Sequence, residues 1–184
     1  GEFISAQEGA DLLEMAESGN FEFAEVDELG SHTNDDTYLQ KHIESVLNLP
    51  LVDTDAIRSA DFHVVVDAVN STGGIFVPAL LKALGVQQIT KLYCDPTGQF
   101  PHNPEPLPEH LTDLSAKIKE VGADIGFTVD PDVDRLAMVC EDGSMFGEEY
   151  TLVAVSDYVL KHTPGATVSN LSSTRALRDV TEAK

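Results

Sequence analysis

Basic residues are scarce in this sequence. Its 184 residues include 11 lysines and arginines against 32 aspartates and glutamates, which gives a formal net charge of −21. Nucleic acids and anionic membrane surfaces are bound through clusters of basic side chains, so this charge balance argues against either class of partner. The same excess of negative charge favours the binding of cations.

Cysteine is also scarce, and long apolar runs are missing. Cys94 and Cys140 each end a predicted strand among apolar neighbours, and neither has a second Cys or a His at zinc-site spacing. We therefore predict two free, buried thiols, which suits a reducing, cytoplasmic compartment. No apolar run reaches the roughly 18–20 residues that a membrane helix needs, and from the first residues we expect no signal peptide.

Apolar strand-like runs alternate with helix-like segments from residue 62 onward. This alternation predicts a three-layer α/β/α fold with a mixed, mostly parallel sheet. The predicted strands are 62–69, 88–94, 123–130, 135–140 and 166–171, and the intervening helices are 75–85, 109–122 and 147–165. Further helices are predicted earlier in the chain, at 5–17, where Ser5 and Glu8 have capping-box spacing, at 35–48 and as a short turn within 53–61.

Three aspartates stand at alternate positions, Asp130, Asp132 and Asp134, and Arg135 follows directly. Like charges this close repel one another, so a metal ion, basic side chains or exposure to water must compensate them. The loop follows the carboxyl end of a predicted strand, where α/β sheets gather their ligands. Three carboxylates suit a hard divalent cation such as Mg²⁺, and an adjacent arginine suits a phosphate group.

Other interpretations of this loop stay open. It could be a solvated acidic turn in a metal-free interaction or scaffold domain. It could also belong to a haloacid-dehalogenase-like phosphatase, which places Asp-x-Asp after a strand, although Asp134 stands where Thr or Val is usual. An EF-hand is excluded, because its loop needs glycine at the position that Arg135 occupies.

The segment "DPDVDRLAMV" resembles the metal-binding loop of the α-D-phosphohexomutases, the phosphoglucomutase/phosphomannomutase family. The segments "FHVVVDAVNSTGG", "DPTGQFPHNPEPLPEHL" and "VSNLSSTRALRDV" resemble other parts of the same family and follow in the family's order. The resemblance therefore covers roughly residues 35–184, and the combination of segments is far more specific than one Asp-rich loop.

The resemblance implies a four-domain enzyme of which this chain is an internal fragment. It assigns residues 1–36 to a helical remnant of the first domain, 37–145 to the second domain with its metal-binding loop, and 146–184 to the start of the third. The chain's partners would then include the remaining domains of the same polypeptide. The chain starts with Gly1 instead of Met and stops within "VTEAK", so we expect both ends to be cuts in a longer protein.

The family moves a phosphoryl group between positions 1 and 6 of a hexose phosphate, through a phosphoserine and a bisphosphorylated intermediate. By motif match, Asp130, Asp132 and Asp134 would hold Mg²⁺, and Arg135 would lie beside the phosphoserine and the transferring phosphate. Phosphoryl transfer depends on charge neutralisation and positioning, which agrees with this set of residues.

The family's nucleophilic serine, in a Thr-Ala-Ser-His-Asn-Pro-like loop, is missing from this sequence. Ser31-His32 lacks the following Asn-Pro, and His102-Asn103-Pro104 follows Pro101, which has no hydroxyl to accept phosphate. We therefore predict no catalytic residue in this chain, expect it to be inactive alone, and assign the Pro-rich stretch around His102 a structural role. The "NSTGG" stretch at 70–74 lacks the lysine of a phosphate-binding loop and predicts a tight turn.

Overall fold

The computed structural model describes residues 3–147 and 149–184, and the chain divides into two compact units at residues 36 and 37. In the first unit, helix α1 spans Ala6–Ser18. The Glu8 amide donates to the Ser5 hydroxyl at 3.3 Å, and the Ser5 amide donates to the Glu8 carboxylate at 2.7 Å, so the predicted capping box is confirmed. A short 3-10 turn follows at Val26–Glu28.

The second unit contains, among the described residues, six α-helices and the four strands of the sheet. Their bounds are α2 Tyr38–Leu47, α3 Thr54–Ala60, β1 His63–Asp67, α4 Gly73–Leu84, β2 Gln88–Leu92, α5 Thr112–Val121, β3 Ile125–Val129, β4 Leu136–Cys140, α6 Tyr150–His162 and α7 Ala176–Glu182. A 3-10 turn at Pro108–His110 precedes α5. The predicted start of the sixth helix includes Glu148, which lies outside the described residues.

The sheet has the strand order β2-β1-β3-β4. Strand β1 pairs in parallel with β2 and with β3, whereas β3 and β4 form an antiparallel hairpin in which Val129 faces Leu136. The predicted mixed, mostly parallel sheet is therefore confirmed. The carboxyl ends of the three parallel strands share one edge of the sheet, which we call the carboxyl edge.

Helices cover both faces of β1. Val65 packs in one cluster with Leu114 and Ile118 of α5, and Val64 and Val66 pack on the opposite face in a cluster with Leu81 of α4. The continuous apolar run of β1 is explained by this arrangement, since a strand in the middle of three layers buries residues on both sides. The predicted three-layer α/β/α fold is confirmed.

The predicted strand at 166–171 is wrong. Residues 164–170 have no regular secondary structure, and Val168 and Leu171 are fully exposed. A strand is stable only when a neighbour accepts and donates its backbone hydrogen bonds, and no described strand pairs with this segment. Thr167 instead shares a 2.8 Å hydrogen bond with Thr181 of α7.

Among the described residues, no helix combines the length and the apolar character that crossing a membrane requires.

Candidate metal centre at the carboxyl edge

The aspartate loop, Asp130–Arg135, is the connection of the β3–β4 hairpin and lies at the carboxyl edge. The Val133 amide donates to the Asp130 carbonyl at 3.2 Å, and Val133 has a left-handed backbone with φ +63°. The loop is therefore a tight turn, and it brings carboxylate oxygens of Asp130, Asp132 and Asp134 within 4.8 Å of one another. The three residues singled out from the sequence thus form one cluster.

The three carboxylates differ in environment. Asp130 is only 5% exposed and its Oδ1 accepts a 3.0 Å hydrogen bond from the Arg135 amide, whereas Asp132 and Asp134 are exposed. Hydrogen bonding to Asp130 and the nearby charge of Asp132 raise the pKa of Asp134, and Arg135 opposes the shift. The negative charge of Asp132 thus disfavours ionisation of Asp134, as expected for acids placed this close together.

Arg135 is the basic side chain of this cluster. Its Nε lies 3.8 Å from Asp130 Oδ2 and 3.9 Å from Asp134 Oδ1, and its Nη1 lies 3.5 Å from Oε1 of Glu105. Charge-assisted hydrogen bonds between such groups are normally about 2.7–2.9 Å long. The guanidinium is therefore held loosely among three acids and is 56% exposed, which leaves it accessible to an anion.

The donor set fits a hard divalent cation. Carboxylate oxygens are the ligands that Mg²⁺ and Mn²⁺ prefer, and opposite ligands of an octahedral Mg²⁺ ion are about 4.2 Å apart. The 4.8 Å spread of the cluster is close to that separation. Because Asp132 and Asp134 are exposed, rotation of their side chains meets little resistance from neighbouring atoms.

The start of α4 packs against the same edge. A Cβ on Gly73 would lie 2.5 Å from Val129 Cγ2, and a Cβ on Gly74 would lie 2.2 Å from the carbonyl oxygen of Cys94. The glycines of "NSTGG" are thus needed for the close approach of the helix to the strand ends, which supports the tight-turn interpretation. The Thr72 hydroxyl also donates to the Pro131 carbonyl at 3.2 Å, which ties this turn to the aspartate loop.

Sequence reasoning missed a pair at the carboxyl edge, the buried Asp67 and the partly buried His102. Asp67 ends β1 with no exposed surface, and its Oδ2 lies 2.9 Å from His102 Nε2. Burial raises the pKa of Asp67, and hydrogen bonds from the Val69 amide and His102 oppose the rise. An acidic residue at the end of an apolar strand was the available signal, since a buried carboxylate requires a partner.

The other residues considered from the sequence, Ser31, His32 and the two cysteines, are not part of the aspartate cluster. Ser31 and His32 are exposed residues of the first compact unit. Cys94 and Cys140 are free, as predicted, although both are half-buried instead of fully buried. Burial raises the pKa of Cys94 to about 11, so its thiol stays protonated at neutral pH and is a poor nucleophile.

Known proteins resemble this chain over the region just described. A sequence model of the family described as phosphoglucomutase/phosphomannomutase, alpha/beta/alpha domain II, matches residues 40–143. A phosphomannomutase/phosphoglucomutase of Pseudomonas putida is 38% identical over 157 residues, which cover 82% of this chain and 34% of that protein. A phosphoglucomutase of Neisseria gonorrhoeae is 34% identical over 180 residues, covering 96% of this chain and 37% of that protein.

Solved structures of related proteins also resemble this chain. A phosphoglucomutase/phosphomannomutase family protein from Burkholderia thailandensis superposes with a TM-score of 0.69 at 30% identity, over 96% of this chain and 38% of that one. Parafusin from Paramecium, at 16% identity and a TM-score of 0.60 over 80% of this chain and 28% of that one, shares the fold. This chain spans little more than a third of the curated relatives that it matches.

Proposed function

The chain belongs to the phosphoglucomutase/phosphomannomutase family, and from this premise we propose that it is the metal-loop part of a phosphohexomutase. Such an enzyme transfers a phosphoryl group between C1 and C6 of a hexose phosphate, through a phosphoserine and a bisphosphorylated intermediate. The serine belongs to a part of the protein outside this sequence, so the chain supplies one wall of the site and is inactive alone.

We extend the proposal to the domain organisation. Residues 1–36 are the end of the first domain, 37–145 the second domain and 146–184 the start of the third. The exposure of apolar side chains on α1, among them Leu12, Leu13 and Met15, supports the first assignment. A helix with this much exposed apolar surface normally packs against further protein.

The observation that carries the proposal is the convergence of Asp130, Asp132 and Asp134 beside Arg135 within the family-matched segment. The three carboxylates would hold Mg²⁺, which supplies charge neutralisation for phosphoryl transfer when bound. Arg135 binds a phosphate oxygen through its exposed guanidinium, since arginine presents several donors in a planar fork. Asp130 is fixed by the Arg135 amide and so defines the position of the cluster relative to the sheet.

Substitution of one ligand in the full-length protein tests this role. Asp132→Asn should lower the conversion of glucose 1-phosphate, or of the corresponding mannose or amino-sugar phosphate, by about 100-fold or more, because changes to outer-shell partners of a metal alone cost about 10–100-fold. Asp55→Asn is the matched control, since Asp55 is an exposed aspartate of α3 whose carboxylate pairs with Arg58 of the same helix.

The predicted pattern is a large loss for Asp132→Asn and near-parent activity for Asp55→Asn. The isolated 184-residue chain should show no conversion in the same assay. Undiminished activity of Asp132→Asn would exclude the metal role, and turnover by the isolated chain would exclude an incomplete site.

A further inference from the structure

A Pro-rich segment at 95–110, with five prolines in sixteen residues, connects β2 to α5 and is anchored at the carboxyl edge. The anchor is the pair Asp67–His102, in which His102 Nε2 lies 2.9 Å from Oδ2 of the buried Asp67. The ring of Tyr93 packs edge-on against His102 at 5.7 Å, and the Tyr93 hydroxyl donates to Asp113 at 2.7 Å. The segment is therefore fixed to the end of β1 and to the start of α5.

Polar contacts through Asn103 connect His102 to Glu105. His102 Nδ1 lies 2.8 Å from the carbonyl oxygen of Asn103, and the Asn103 side chain accepts from the Glu105 amide at 3.0 Å. The Glu105 carbonyl in turn accepts from the Leu107 amide at 2.8 Å and contacts His110 Nδ1 at 2.9 Å. Both backbone polar groups of Glu105 are thus engaged, and the flanking prolines restrict the chain further.

The side chain of Glu105 reaches the aspartate loop. Its Oε1 lies 3.5 Å from Arg135 Nη1, whereas a different nitrogen of the guanidinium, Nε, makes the contacts with Asp130 and Asp134. Without Glu105, the guanidinium would lose this attraction, and the remaining attraction of Asp130 and Asp134 would draw it toward the cluster. An arginine lying across the cluster would compete with a cation for the same carboxylates.

We propose that Glu105 is a positioning residue that holds the Arg135 guanidinium beside the aspartate cluster, and that Asp67–His102 fixes the segment carrying Glu105. This inference rests on the proposed function, because it assigns Arg135 and the cluster the roles described above. It adds residues outside the aspartate cluster, Asp67, His102 and Glu105, that act through Arg135.

The first test compares two glutamates of the same segment in the 184-residue chain. Glu105→Gln and Glu109→Gln each remove one negative charge, and Glu109 is exposed and has no contact with Arg135 in the described ion pairs. NMR can follow the hydrogen exchange of the Arg135 Nε–H. The exchange rate should fall by about two- to fivefold in Glu105→Gln, because the guanidinium moves onto Asp130 and Asp134. A change of this size corresponds to the free energy of an exposed ion pair. It should stay at the parent value in Glu109→Gln. Unchanged or faster exchange in Glu105→Gln would overturn the proposal.

The second test separates anchoring from charge. In His102→Asn the side chain is too short to reach Asp67, whereas His102→Gln keeps a polar group near the position of Nε2. The Arg135 Nε–H should slow in His102→Asn as it does in Glu105→Gln and return to the parent value in His102→Gln. Equal exchange in both His102 variants, with Glu105→Gln also unaffected, would refute the proposal.

Metal binding gives a third readout on the same samples. Glu105→Gln should lower the Mn²⁺ affinity of the parent chain by about threefold. The same substitution should leave the affinity of an Arg135→Ala variant unchanged, because the effect of Glu105 depends on the guanidinium. An equal loss in both backgrounds would show a simple effect of charge and overturn the proposal. The NMR results do not depend on mutase activity, so failure of this inference is distinguishable from failure of the proposed function.

Discussion

At the scale of single residues, the carboxylate of Asp67 combines complete burial with an ionisable partner. Its pKa is raised by burial, whereas the Val69 amide and His102 favour the charged form. One residue, Ala68, separates it from two left-handed residues, Val69 with φ +45° and Asn70 with φ +55°. A β-branched residue rarely adopts this conformation, and the 3.0 Å hydrogen bond from the Val69 amide to Asp67 helps to hold it.

The substitution Asp67→Asn should change how stability depends on pH. A raised folded-state pKa means that the native state binds more protons than the unfolded state between the unfolded value, about 3.9, and the folded value. The stabilising contribution of protonated Asp67 is therefore complete below the unfolded pKa and is lost as the pH rises through the folded pKa.

Asparagine cannot ionise, so this loss is absent in the variant, and its free energy of unfolding relative to the parent should increase as the pH rises above about 4. Each unit of pKa shift corresponds to about 1.4 kcal/mol. Urea denaturation of both proteins between pH 4 and pH 8 measures the difference. A difference that falls as the pH rises would show that the contacts with His102 and Val69 outweigh the cost of burial.

At the scale of secondary-structure elements, the site depends on how closely α4 approaches the ends of β2 and β3. Gly73 and Gly74 form the first residues of α4, and both are buried. A side chain on Gly74 would collide with backbone, the Cys94 carbonyl, which cannot rotate away as a side chain can. The same turn donates from Thr72 to Pro131, so a displaced α4 would also displace the aspartate loop.

Gly74→Ala should therefore destabilise the chain by about 1–3 kcal/mol, the usual cost of overpacking a buried site. Gly165→Ala is the matched control, because a Cβ at Gly165 would have no atom within 4 Å and its change should stay within about 0.5 kcal/mol. Thermal or urea unfolding measures both. Equal stability of the two variants would contradict the close-approach role of Gly74.

Sequence patterns predicted the local features of the elements and missed their long-range partners. The aspartate cluster was predictable because its members lie two residues apart in one turn. The contact of Asp67 with His102 was not, since the two lie 35 positions apart and His102 belongs to the Pro-rich segment, which has little regular structure. The strand expected at 166–171 shows the same limit, because an extended sequence becomes a strand only where a neighbouring strand is available.

At the scale of the whole molecule, the net negative charge and the aspartate cluster both favour the binding of cations. A net charge of −21 raises the local concentration of cations near the surface. At the carboxyl edge, three of the 32 acidic residues meet in one loop, and Arg135 lies beside them with its guanidinium exposed. In the proposed enzyme, Mg²⁺ held by the three carboxylates would offset the repulsion that raises the pKa of Asp134.

The most direct test is an anomalous-diffraction experiment on crystals of the full-length protein grown with Mn²⁺. The proposed function predicts a manganese peak at the aspartate loop, within about 2.0–2.3 Å of one carboxylate oxygen from each of Asp130, Asp132 and Asp134. A manganese peak elsewhere in the active site, with these three carboxylates free of metal, would contradict it.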